Sequence, residues 1–244
     1  MSKRIAIVTG ASKGIGKAIV ERFVADGHLT ILVDIDEVEG QRLAESLGEN
    51  ATFFKCDISK KHEAQALNDH VKNTYGKIDV LVNNAGIIRD NVIWKMPEED
   101  FDLVVDVNLK GTWMMCKIFG ALMREQQFGR IVNISSRAWL GNRGQSNYSA
   151  SKAGVIGLTR VLALELGKYG VYVNAIAPGL INTPLTQKLP ENVQEKLIQA
   201  QPTKTMGEPS DIANAVAFLS DEKTQFITGQ TLYVDGGKSI GAGL

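Results

Sequence analysis

A tyrosine and a lysine stand four residues apart in "SNYSASKAG", residues 146–154. A free phenol, with a pKa of about 10, is a poor base near neutrality, but a neighbouring ammonium and a second cation favour tyrosinate, a tenfold gain in acidity being worth about 1.4 kcal/mol. Residues i and i+4 share one face of a helix, so Tyr148 and Lys152 project together and can exchange a proton with an alcohol or ketone oxygen. The same spacing also describes an ordinary surface pair, so the surroundings must decide. Just upstream, the apolar run "GRIVNISS" ends in Ser135 and Ser136. A hydroxyl there can hold a substrate oxygen against the tyrosine, while the other serine caps a turn. Either Ser136 or Ser135 can take the first task.

A second set of residues suits a dinucleotide. "TGASKGIG" follows an apolar run and precedes the helical "KAIVERFVADG". In Gly10, Ser12, Lys13, Gly14, Ile15 and Gly16, the glycines allow a tight turn and close backbone approach, and a helix N-terminus offers unpaired N–H groups to a pyrophosphate. Asp34, with Ile35 beside it, lies 18 residues after Gly16, near the spacing of an acid that binds the adenosine ribose hydroxyls. A carboxylate there repels a 2′-phosphate, so NAD is the expected cofactor; Lys13 keeps NADP open. Asp57, flanked by Cys56 and Ile58, and the turn Asn84-Ala85-Gly86 offer an adenine contact and a close ribose approach. No metal site is expected.

These residues need a scaffold that gathers them. Seven short apolar runs, rich in β-branched residues and separated by helical patterns, predict one α/β Rossmann domain over 1–244. Its core is a doubly wound, seven-stranded parallel sheet with helices on both faces. In such a sheet the ligand lies beyond the carboxyl ends of the strands, where the Gly, Asn, Asp and Ser clusters stand. Residues 183–207, amphipathic and flanked by prolines, are expected to form a lid. Lys+Arg and Asp+Glu are 27 each among 244 residues, so no net field favours nucleic acid or an anionic membrane. No apolar run approaches the roughly 18 residues of a membrane span. Cys56 and Cys116 form no disulfide framework, and the expected compartment is the cytoplasm.

With these motifs in order, from "TGASKGIG" through Asp57, "NNAG", Asn108 in "VNLKGTW", "ISS", "YSASK" and "PGLINT" to "GQTLYVDGG", the chain resembles the short-chain dehydrogenase/reductase family. The resemblance implies Tyr148 as catalytic acid/base, with Lys152 lowering its pKa and binding the nicotinamide ribose. It implies a serine of "ISS" polarising the substrate oxygen and Asn108 holding a water that relays protons from Lys152. Pro178, Gly179, Ile181 and Thr183 would line the nicotinamide. Bacterial 3-oxoacyl-carrier-protein reductases are a similar kind, but they usually take NADPH and carry cations for the carrier protein where Gln127 and Tyr169 stand here. The expected activity is therefore an NAD-dependent secondary alcohol dehydrogenase or carbonyl reductase, with the carrier-protein reductase second. A non-catalytic nucleotide sensor is a third reading, opposed by the joint presence of Asn, Ser, Tyr and Lys. Trp94, Trp139, Leu140 and Met206 are expected to wall a pocket for a small alcohol or ketone. Relatives imply a homodimer or homotetramer, pairing helices near 98–124 and 148–170 and using the C-terminal segment at a second interface.

Overall fold

The computed structural model describes residues 3–240. The described residues contain one parallel sheet of order β3-β2-β1-β4-β5-β6-β7. Its strands are β1 (Ile5–Thr9), β2 (Leu29–Asp34), β3 (Ala51–Lys55), β4 (Val80–Asn83), β5 (Gly129–Ile134), β6 (Val171–Pro178) and β7 (Thr231–Val234). Side chains alternate across each strand, so each strand feeds two cores. Ile7, Ile31, Leu81 and Ile131 face one layer with Leu67, Phe119 and Leu166. Ala6, Val8, Leu32 and Val82 face the other with Ile19, Phe23, Val216 and Leu219. The doubly wound arrangement is the one expected of unbroken apolar runs. The edge strands β3 and β7 depart from it, since most of their residues are only partly covered.

Helices α1 (Gly14–Ala25), α2 (Glu37–Leu47), α3 (Lys61–Tyr75), α4 (Glu98–Val105), α5 (Thr112–Gln126) and α6 (Ser146–Leu166) provide the crossovers, with α7 (Glu191–Gln199) and α8 (Pro209–Ser220) between β6 and β7. The chain reverses its direction of winding at β1, which pairs with β2 on one side and β4 on the other. That switch point opens the crevice at the carboxyl ends of the strands.

Two local departures shape the site. The helix expected across 98–124 is interrupted by a widened π turn, Asp106–Gly111, between α4 and α5. A Cβ on Gly154 of α6 would stand 2.7 Å from Leu109, so the missing side chain is what lets this turn pack on α6. The expected lid begins and ends at one point: Asn182 N–H donates to Gly207 O (2.7 Å) and Gly207 N–H to Leu180 O (3.0 Å). Within it, α7 buries none of its residues. Residues 241–244 of the C-terminal segment expected at an interface lie outside the described residues.

Candidate active site

The glycine turn rises from β1 with Gly10 at a left-handed φ of 62°. A Cβ on Gly10 would stand 2.8 Å from the Ala85 Cα, and one on Gly16 would run into the Gly10 carbonyl oxygen. Either methyl would force the turn apart, so the crevice over β1 and β4 is bare backbone there. Helix α1 starts at Gly14 with no side-chain cap, leaving first-turn N–H groups for an anion. Thr183 arrives from beyond β6, its Cγ2 3.5 Å from where a Gly14 Cβ would be. The two ends of the expected cofactor cradle therefore meet, and the residues fit a dinucleotide.

Asp34 accepts from Ser12 N–H and Asp36 N–H, both at 3.0 Å. Its carboxylate holds the glycine turn against the end of β2. Asp36 is the helix cap, accepting from Glu39 N–H at 3.2 Å. Lys13, which kept a 2′-phosphate in play, instead pairs with Asp36 at 2.6 Å. That pairing raises the lysine pKa and lowers the aspartate's, the shared hydrogen bond being the main cause for each. Ile35 is 66% exposed beside them.

Other expected contacts are spent within the chain. Asn84 donates to Thr9 O and Gly10 O, both at 3.0 Å, so its amide N–H groups tie β4 to the glycine turn and only its Oδ1 is left to meet a ligand. Asp57 accepts from the Ser59 N–H (2.9 Å) and hydroxyl (2.7 Å). Cys56 is buried, and burial pushes its thiol up to about 12, so it contributes packing and not a reactive sulfur. Ile58 packs where a Gly111 Cβ would stand. Gly179 meets the turn after β7 so closely that a Cβ there would be 2.6 Å from the Asp235 Cα. Pro178 and Ile181 beside it are buried, Ile181 being 5% exposed. Thr183 N–H donates to Thr186 Oγ1 (2.8 Å), which lies 2.7 Å from Ile181 O.

The two serines are held differently. Ser135, 2% exposed, donates its hydroxyl to Lys152 O at 2.9 Å, tying β5 to α6. Ser136 caps the short turn Arg137–Leu140, accepting from Ala138 N–H at 3.1 Å, and it is close enough to the Tyr148 phenol to pull its pKa down. Lys152 is buried, donates to Ile134 O at 2.8 Å and sits 5.6 Å from the Tyr148 ring centre. Burial brings this ammonium down to about 8. Burial also raises Tyr148, with Asp90 adding to the rise, while the Ser136 hydrogen bond pulls the other way. The Tyr148 pKa is thus raised overall; Ser136 is the group that pulls it down, and Lys152, expected to do so, is engaged on the main chain and is not among the causes.

The Asn108 side chain uses both its amide N–H groups and one acceptor site of its oxygen within the protein. Its Oδ1 accepts from Ile87 N–H (2.8 Å), and its Nδ2 donates to Ile87 O (3.0 Å) and Ser151 Oγ (3.3 Å). It locks the π turn to the loop after β4. A Cβ on Gly86 would stand 3.2 Å from Asn108 Oδ1 and 3.4 Å from Lys152 Nζ, so both groups come close to the backbone at Gly86. Of the expected apolar wall, Trp94 and Leu140 are exposed, and Trp139 and Met206 are half-buried.

Several positioning residues lie in or beside the expected motifs but were given no role there. Thr9 accepts from Asn84 N–H and Ala85 N–H at 3.0 Å each. The buried Asn147 donates to Arg89 O at 2.9 Å and accepts from Tyr148 N–H at 2.7 Å. Asn133 accepts from Asn83 (2.8 Å) and donates to Thr159 (3.0 Å) beneath the site. The available signal was polar residues inside otherwise apolar runs.

Fold and site together define a nicotinamide-type oxidoreductase of the doubly wound α/β class. A family model described as enoyl-(acyl carrier protein) reductase matches residues 10–239, and the chain belongs to the short-chain dehydrogenase/reductase family. It is 44% identical over 246 aligned residues to the (2S)-[(R)-hydroxy(phenyl)methyl]succinyl-CoA dehydrogenase subunit of Thauera aromatica, covering 100% of this chain and 99% of that one. It is 40% identical to a 3-oxoacyl-[acyl-carrier-protein] reductase of Thermotoga maritima, covering 97% and 98%. Among solved structures, levodione reductase superposes with a TM-score of 0.93 at 34% identity, covering 97% and 98%. No helix among the described residues is long and apolar enough to cross a membrane.

Proposed function

We propose that the protein interconverts a secondary alcohol and a ketone on an acyl thioester, with NAD(H) as the hydride carrier. The observation that carries this reading is the convergence of the Ser136 hydroxyl, the Tyr148 phenol and the buried Lys152 ammonium at the ends of β5 and α6. A bound nicotinamide dinucleotide supplies the hydride acceptor or donor. The chain's own residues handle the proton. In oxidation Tyr148 takes the substrate hydroxyl proton, in reduction it returns one, and Ser136 holds the same oxygen in place. Lys152 binds the ribose and offsets the charge of the tyrosinate.

Three features support NAD over NADP: Asp34 at the end of β2, Asp36 just beyond it, and Lys13 already paired. The thioester is supported by the relatives, whose names specify a hydroxylated acyl-CoA and 3-oxoacyl groups on carrier protein. The second reading, a carrier-protein reductase using NADPH, is favoured by the number of relatives so named. Against it, the exposed Gln127 and the Tyr169 ring, stacked on Arg124 at 5.7 Å, stand where cations would steer an acidic partner. The proposed setting is a cytoplasmic homo-oligomer.

The test follows NADH and NADPH absorbance with acetoacetyl-CoA, acetoacetyl carrier protein and plain ketones. Faster NADH turnover of the CoA thioester supports the proposal; NADPH with carrier protein alone supports the second reading. Tyr148→Phe is expected to abolish turnover while NADH fluorescence titration shows retained binding. Turnover that survives in Tyr148→Phe removes the tyrosine from its role.

A further inference from the structure

A cavity of about 330 Å³ opens between the loop after β4 and the start of α6, its lining taking in Ser146 and Ser149, which flank Tyr148 in the sequence. Its walls are of two kinds. Ile93 and Trp94, 69% and 74% exposed, form an apolar side, and Asn142, Arg143, Ser146 and Ser149 form a polar side. Ser146 Oγ and Ser149 Oγ are closed to solvent and have no hydrogen-bond partner among the described residues. An enclosed hydroxyl without a partner is unfavourable, and a change of χ1 rotamer is the one motion that presents it to a ligand. Arg143 is exposed and joins no ion pair or side-chain hydrogen bond among the described residues, whereas Arg89, Lys110 and Arg22 each meet a carboxylate. The loop carrying Arg143 is fixed: Asn142 donates to Gln145 at 2.9 Å, Gln145 donates to both Asp90 oxygens at 3.1 and 3.0 Å, and Asn91 N–H bonds Gly144 O at 2.8 Å. Asp90 adjoins this wall but does not line the cavity.

We propose that this cavity receives an anionic group of the substrate, a carboxylate or a phosphate, with Arg143 as its charge partner, Ser146 and Ser149 as donors, and Ile93 and Trp94 over the adjoining carbon skeleton. The inference rests on the dehydrogenase reading above and narrows its substrate to one with a charge near the reacting carbon or on the thioester's carrier. A guanidinium suits either anion through paired N–H donors, and a fixed loop lowers the cost of holding it.

Three substrates with one acyl skeleton distinguish the sources: a neutral N-acetylcysteamine thioester, the same thioester bearing a carboxylate, and the neutral acyl group on coenzyme A. Relative to the neutral substrate, Arg143→Ala is expected to lower kcat/KM at least tenfold, through KM, for whichever substrate carries the recognised anion, with part of the loss restored in Arg143→Lys. A loss confined to the carboxylated thioester assigns the acyl carboxylate, and one confined to the CoA thioester assigns a phosphate. Equal losses on all three overturn the anion site while leaving the dehydrogenase reading in place. Calorimetric titration with phenylsuccinate and with coenzyme A tests the site without turnover. Tenfold weaker binding of either to Arg143→Ala supports it even if no thioester reacts, and unchanged binding of both overturns it.

Discussion

Two adjacent serines have parted roles because consecutive residues of an extended chain point to opposite sides. Ser135 turns toward α6 and stitches it to β5, and Ser136 turns toward the phenol. Ser136→Ala is therefore expected to lower kcat by about 10²–10³, the usual cost of one oxyanion donor. Losing the bond that lowers the Tyr148 pKa also moves the acid limb of alcohol oxidation to higher pH, which a pH–rate profile checks. Ser135→Ala is expected to cost about 1 kcal/mol of stability and little turnover. The reverse pattern would exchange the two assignments. Lys152 sets the pH dependence of stability. Its folded pKa of about 8 lies below 10.5, so between those values the unfolded chain binds the extra proton and stability rises with pH. Below pH 8 the full cost of the buried ammonium is present. Lys152→Met is expected to flatten the slope between pH 8 and 10.5, read by urea unfolding at several pH values.

At the scale of elements, the π turn between α4 and α5 brings Asn108 to Ser151 and Ile87. Its depth depends on Gly154, where added carbon meets Leu109. Gly154→Val is expected to cost about 1–3 kcal/mol by overpacking and to lower kcat as Asn108 shifts, so unfolding and turnover are measured on the same variant. Lost stability with unchanged kcat would separate the turn from the chemistry. This turn also marks what the sequence could not tell. All seven strands were legible, because parallel strands buried on both faces read as runs such as "IAIVT" and "LVN", and Tyr148, Lys152 and the glycine turn were legible because their chemistry needs particular residue types. The π turn was not, since Leu109 seating on Gly154 is a contact between distant segments. Neither was the capture of the Asn84 amide by Thr9 and Gly10, nor the pairing of Lys13 with Asp36, because each depends on which partner is nearest in space.

Across the whole molecule, both faces of the sheet are covered, yet the outer faces of α4, α5 and α6 leave Leu103, Trp113, Val161 and Leu164 at 43%, 45%, 51% and 85% exposure. We propose this surface as the face through which copies of the chain associate, since exposed apolar patches commonly serve as interaction sites. Leu164→Glu is expected to give a smaller species than the parent chain in light scattering; an equal mass for the two would place association elsewhere. The same division of labour, a fixed sheet with variable surroundings, is sharpest at the clasp between Asn182 and Gly207. A loop whose two ends are pinned together can be lengthened, shortened or exchanged while its anchor stays still, and doubling its length costs only about 0.6 kcal/mol in closure entropy. We propose that this segment is an exchangeable cassette that adjusts substrate preference while the proton-moving residues stay in place, and a chimaera with the segment grafted from a relative is expected to shift kcat/KM across a substrate panel.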